Sequence, residues 1–387
     1  MTGVSLSDRP TVGVSVGSSA SLSSNYREAE QNFVQLLATD QLDQQVKADP
    51  EIVRLLEATI DTALNLAYTA QDQPHSSKQV QTEQVQTEQV QTEQEQAAHL
   101  FLQRILYRIN RLNLFWYDDL QHYKNERSVY LQGVRDRIES VWQDWELAQL
   151  DLVALQQADI KQALMERGEA DLNPPILENK RFLREQMSLE GYRHLLKIAS
   201  LDGLVEASRM SRILGGACNE VQATLIRVLL EEYGNGRLHR KHSTFFAQMM
   251  AELGLNTEPE GYFDLVPWEV LAGINHNFLL TERKRYFLRY NGGLTYFEIA
   301  GPSIYQDYML AASRLQLSEQ AMGYWELHIR EDERHGQWML RDVALPLVDR
   351  HPEDAWELLL GYDQEKKLGD RAGDAVIRAV KQAEQLS

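Results

Sequence analysis

The chain has 387 residues, 43% of them hydrophobic, and 39 basic against 57 acidic side chains give a formal net charge of −18. That length holds an ordinary domain plus a substantial extension, and the acidic balance argues against binding nucleic acid through its phosphates. Cys218 is the sole cysteine, which excludes an internal disulfide, a multi-thiolate zinc site and a thiolate-held iron–sulfur cluster.

In chain order, residues 1–25 are poor in large apolar groups and are expected to be disordered. They lack the basic start and apolar block of a signal peptide, and no stretch suits a membrane span, so a cytoplasmic protein is expected. Residues 26–72 read as a helical extension: Phe33, Leu36 and Leu37, then Leu55, Leu56, Ile60 and Leu64, recur near the helical period. Asp49-Pro50-Glu51 marks a helix start, with Asp49 as N-cap. Residues 73–96 contain Val-Gln-Thr-Glu-Gln three times in succession. A five-residue period fits neither helix nor coiled coil, so this stretch is expected to be a Gln-rich low-complexity linker.

Residues 97–172 read as a long helical hairpin. Leu100, Phe101, Ile105, Leu106, Ile109, Leu112 and Phe115 form one apolar stripe; Val134, Ile138, Val141, Trp142 and Trp145 belong to another. Asp119-x-x-His122 is an acid–imidazole pair here, but Asp118, Lys124 and Glu126 around it favour a solvated surface. Asn173-Pro174-Pro175 is the expected main boundary. Beyond it, residues 173–387 read as an all-α domain of about seven helices with short turns, since no run alternates long enough to form a strand. Cys218, beside Gly215, Gly216 and Ala217, reads as a small packing residue.

Three segments of this domain carry chemistry. His328, Asp332 and His335 stand at i, i+4 and i+7, on one face of a helix flanked by Tyr324, Trp325, Trp338 and Met339. Imidazole and carboxylate together suit iron, zinc or manganese. The competing reading is a charged, solvated face, which Glu331, Glu333 and Arg334 favour; the run alone leaves the two even. A second segment offers Glu231, Glu232, His239 and His242 around Gly234-Asn235-Gly236, where glycines permit a bulge or a close backbone approach. On an ideal helix Glu232 with His239, or Glu231 with His242, align better than Glu232 with His242. The third is Glu298 in an apolar run four residues before Pro302; by itself it reads as a helix end facing water.

As an ordered set these segments resemble the haem-oxygenase-like diiron oxidases, or iron-containing redox enzymes, over about the last 200 residues. Glu232 and His242 are 10 apart, Glu298 follows by 56, His328 by a further 30, and Asp332 and His335 complete the triplet. Glu232-Tyr233-Gly234 and His242-x-x-Phe245-Phe246 also look like the family. The resemblance implies a haem-oxygenase-like helical bundle preceded by the helical extension. It implies metal ligands Glu232, His242, Glu298, His328, Asp332 and His335, with His239 as the reserve for His242 and Glu298 as bridge. Two iron ions, dioxygen as co-substrate and an external electron donor follow. So does a small amine-, amino-acid- or fatty-acid-like substrate, undergoing N-oxygenation, desaturation or carbon–carbon cleavage.

Around the site, Arg283, Lys284, Arg285 and Arg289 are candidates to anchor a substrate carboxylate, although such runs are more often solvated. Asn275, His276 and Asn277 are either an outer layer around the ligands or a turn. Two other readings compete: a ferritin-like diiron protein using Asp119 and His122, and a non-catalytic helical scaffold with a vestigial metal site. Neither membrane nor nucleic acid is expected as a partner. Residues 26–172 are open to docking on the catalytic domain, forming a homodimer or recruiting a reductase.

Overall fold

A computed structural model of the protein describes residues 19–68, 83–114, 119–215 and 220–386. The expectations for residues 1–18, the start of the repeat, Phe115, Asp118 and Cys218 lie outside these. Among the described residues there is no strand, and no helix is long and apolar enough to cross a membrane.

The extension comprises α1 (Ser19–Leu37), α2 (Leu42–Ala48) and α3 (Glu51–Tyr68). Asp49 accepts from the Glu51 N–H at 3.1 Å, the expected start of α3. Helix α1 begins at Ser19, so the disorder expected up to residue 25 does not hold for its last seven residues. Likewise α4 (Glu83–Asn110) begins within the repeat, where a linker to residue 96 is expected. Gln and Glu are good helix formers, and a helix nucleated by the apolar stripe beyond Ala97 propagates upstream without a new nucleus. Helices α5 (Val129–Leu147), α6 (Leu152–Gln157) and α7 (Ile160–Leu172) follow, each started by a side-chain cap: Ser128, Asp151 and Asp159.

After Pro175 come α8 (Glu178–Arg181), α9 (Leu189–Gly203), α10 (Glu220–Glu232), α11 (His242–Glu252) and α12 (Trp268–Glu282). Then come α13 (Phe287–Arg314), α14 (Glu319–Trp338), α15 (Leu345–Arg350) and α16 (Trp356–Leu386). Seven of these have 11 residues or more among the described residues, the expected all-α bundle. Helix α13 runs through Pro302, so Glu298 sits mid-helix rather than at an exposed end. Gly301 and Gly336 let α13 and α14 cross closely. A Cβ at Gly336 would lie 3.0 Å from the Glu298 carbonyl oxygen, and one at Gly301 3.1 Å from Asp332 Oδ2. That crossing brings Glu298 to the His328–His335 stripe.

The extension and the helices of residues 97–172 pack together on this bundle. Phe33, Ile60, Leu102, Ile105, Ile138 and Trp142 share one apolar core with Trp268 and Ala272 of α12 and Leu368 of α16. Fully buried Asn275 donates to Gln103 Oε1 at 2.9 Å and accepts from Asn110 at 3.2 Å. Packing also continues across the Pro174-Pro175 break: Arg167 of α7 holds Asp363 through two hydrogen bonds at 2.7 and 2.9 Å.

Candidate metal centre

Helix α14 is started by Ser318, whose hydroxyl accepts from the Ala321 N–H at 3.2 Å. Its inner stripe carries His328, Asp332 and His335, each at most 4% exposed, while Arg330, Glu333 and Arg334 face water. The polar stripe is therefore buried, and it meets two carboxylates and an imidazole from three other segments. Glu232 ends α10, His242 begins α11, and Glu298 projects from α13 at 5% exposure.

Glu232 and His242 come together because the helix between them stops. Gly234, Asn235 and Gly236 all have positive φ (60°, 53° and 78°), and short 3-10 turns lead to a new helix at His242. A Cβ at Gly234 would lie 2.4 Å from the Arg240 carbonyl carbon, so only glycine fits. Residues ten apart misalign on a continuous helix, but this reversal puts His242 Nδ1 3.0 Å from Glu232 Oε2. His239 is exposed on the turn and takes no part.

The side chains form two groups. In one, His242 Nδ1 and His328 Nε2 are 3.2 Å apart and lie 3.8 and 3.6 Å from Glu206 Oε1. In the other, His335 Nδ1 lies 3.7 Å from Glu232 Oε1, 3.3 Å from Glu298 Oε2 and 3.8 Å from Asp332 Oδ1. Glu232 belongs to both groups, one oxygen toward each. The carboxylate between the groups is thus Glu232, where the resemblance implies Glu298.

Glu206 is the residue that sequence reasoning misses. It follows α9 in a turn, has no histidine at a helical offset, and its only signal is an isolated acid after Gly203-Leu204-Val205. The Tyr324 hydroxyl donates to its Oε2 at 2.6 Å, leaving Oε1 on the two imidazoles.

Outer contacts fix the rings. The His328 Nδ1–H donates to the Tyr324 carbonyl at 3.0 Å, which leaves Nε2 for the cluster. The His335 Nε2–H donates to Glu231 at 2.9 Å, which leaves Nδ1. Glu231, which sequence angles offer as a ligand, is instead this outer partner, also held by Arg334 at 2.7 Å.

The electrostatics are those of crowded buried carboxylates. Burial and the neighbouring Glu232 push Glu206 well above the usual carboxylate range; burial with Glu298 and Glu232 does the same to Asp332. Burial also raises Glu298 despite its contact with His335. Burial alone would raise Glu232, but contact with His242 and the charges of His328 and His335 hold it low. Burial and the adjacent His242 lower His328 to about 4. Burial would lower His335 too, but Glu298, Glu232 and Glu231 bring it to about 9. Glu206 Oε1, Asp332 Oδ2 and His335 Nδ1 are buried atoms with no hydrogen-bond partner among the described residues. Buried polar atoms left so are costly, and this oxygen- and nitrogen-rich donor set fits divalent transition-metal ions.

The remaining candidates lie elsewhere. Asp119 and His122 are exposed, and Asp119 caps the turn at Gln121. Arg283 pairs with Asp136 and Glu139, and Arg289 with Glu357, so neither lines the cavity at the cluster. Asn275 and His276 are buried towards the docked extension, while Asn277 lines that cavity. The cavity measures about 360 Å³; Glu206, Glu232, Glu298, His328 and Asp332 line it together with aromatic residues such as Phe246 and Tyr305.

Residues 193–368 match the family described as iron-containing redox enzyme. Over 174 residues the chain is 30% identical to a nitrosourea synthase from Streptomyces achromogenes subsp. streptozoticus. That alignment covers 43% of this chain and 36% of the relative, so the match spans about a third of the relative's length.

Proposed function

We propose that the protein, whose residues 193–368 match the iron-containing redox enzyme family, is a non-haem diiron oxidase that uses dioxygen to oxidise a small organic substrate. The observation that supports this most is Glu232, which presents one oxygen to each of two buried carboxylate–imidazole groups. Glu206, Glu232, His242 and His328 would hold one iron; Glu232, Glu298, Asp332 and His335 would hold the other. Four carboxylates against two ferrous ions leave the site electrically balanced. The set without Glu206 would leave one positive charge in excess.

When bound, the iron pair supplies the electrons and Lewis acidity that dioxygen reduction needs. The chain's own residues do the rest. The Tyr324 hydroxyl holds Glu206, its carbonyl turns His328, and Glu231 turns His335. Aromatic walls limit water around the reacting region. The external electron donor belongs to this proposal. The name of the relative points to a nitrogen-rich product, and amines or amino acids therefore rank above fatty acids as substrates.

The ferritin-like reading gains no support from an exposed Asp119 and His122. A scaffold with a vestigial site would have no need to keep Glu206 Oε1, Asp332 Oδ2 and His335 Nδ1 without hydrogen bonds among the described residues. The test is anaerobic loading with ferrous iron followed by oxygen and pools of amines, amino acids and fatty acids. Oxygen uptake accelerated by one pool supports the reading. Iron that fails to load, or uptake indifferent to every pool, contradicts it.

A further inference from the structure

The cavity that holds the candidate ligands is also lined by a second polar group of side chains. Asp202 comes from α9, Arg209 from the turn after it, Asn277 from α12 and Glu365 from α16. Arg209 and Asp202 satisfy each other at 2.6 Å. Glu365 is differently placed. Its two oxygens receive only the Asn277 side-chain amide, at 3.2 and 3.3 Å, and it forms no ion pair among the described residues. Gly293 packs against it: a Cβ there would lie 3.3 Å from Glu365 Oε2. The same cavity has an apolar lining that includes Ile198, Val270, Ile274, Leu294 and Leu368.

The charge of Arg209 reaches Glu365 but is ion-paired with Asp202, so two carboxylates share one guanidinium and this end of the cavity carries one negative charge in excess. We propose that Glu365, positioned by Asn277, recognises a protonated nitrogen of the substrate, which is therefore a small organic cation of the amine or guanidine class. This rests on the diiron reading for what happens to the substrate, but not for where its charge is held. Burial raises Glu365 to about 7, against the pull of Asn277 and Arg209, and an incoming cation would favour its charged form. Charge-assisted contacts of this kind give both affinity and orientation.

The test uses the full chain loaded with ferrous iron under argon at about pH 8, where Glu365 is largely ionised. Hexylamine, hexylguanidine, hexanol and hexanoate share one apolar tail and are titrated calorimetrically. The two cations are expected to bind about 10-fold or more tighter than hexanol and hexanoate. E365Q is expected to erase that preference with iron content and hexanol affinity unchanged, whereas E365D retains it. Should E365Q misfold, N277L provides the second test, weakening the cations selectively. Hexanoate binding as tightly as hexylamine, or a cation preference that survives E365Q, would overturn the proposal while leaving the diiron reading intact. Failure of iron to load with the Glu365-dependent preference preserved would overturn the diiron reading alone.

Discussion

Glu231 accepts the Nε2–H of His335 at 2.9 Å, which turns Nδ1 of that ring toward Glu232 and Glu298. Consecutive glutamates thus do opposite work: Glu231 holds the imidazole from outside and Glu232 faces it from within. Glu231→Ala is expected to weaken iron binding about 10- to 100-fold without unfolding the chain. Competition with a calibrated chelator measures this, and Glu231→Gln, which keeps an acceptor, should lose less.

Tyr324 plays the corresponding part for Glu206, through a hydroxyl bond of 2.6 Å. Tyr324→Phe leaves one carboxylate oxygen without its donor but removes no proposed ligand. The group containing His242 and His328 should lose affinity by about 10-fold or more, whereas the His335 group keeps its iron. Stepwise iron release on dialysis against chelator distinguishes the two.

The turn at Gly234 is predicted to be intolerant. Gly234→Ala forces a Cβ to 2.4 Å from Arg240 backbone at φ 60°, and should cost about 2–4 kcal/mol in urea unfolding together with loss of iron. Gly236→Ala, at φ 78° but with open space around it, should cost only about 1 kcal/mol.

Acid stability tests the docked extension. His99 stacks on Trp268 at 4.2 Å, and His276 of α12 lies beside Gln143. Burial, then the positive charge of Arg371, lowers His99 to about 3; burial, then Arg289 and Arg371, lowers His276 to about 3, both from 6.5. The folded state therefore binds fewer protons than the unfolded state between those values. The stability is fully present above pH 6.5 and falls as the pH drops toward the folded value. Each histidine should remove about 1.4 kcal/mol per pH unit in that window. His99→Phe should flatten the slope, as measured by urea midpoints at a series of pH values.

How much of this was legible in the sequence depended on distance along the chain. His328, Asp332 and His335 declare themselves because a helix repeats every few residues and the stripe is internally complete. Glu298 and His242 are candidates in their own segments, but their choice as ligands rests on the spacing shared with a family. Glu206 is invisible because what holds it, Tyr324, is 118 residues away. Glu365 and Asn277, 88 apart, are hidden for the same reason. The Glu232–His242 angle misleads because helix geometry does not carry across the break that Gly234-Asn235-Gly236 marks. The docking of the extension rests on pairs such as Asn275–Gln103, 172 residues apart, which no local pattern encodes. The helix in the repeat is hidden for the opposite reason: its five-residue period fits no helix, while propensity and an anchored neighbour carry the helix through it.

Whether Glu232 joins two iron sites is read from iron content after anaerobic ferrous loading and desalting. About two irons per chain are expected for the wild type and for His122→Ala, and fewer than about half an iron for Glu232→Ala. A Glu232→Ala protein that keeps two irons, or a wild type that keeps none, would contradict that role of Glu232.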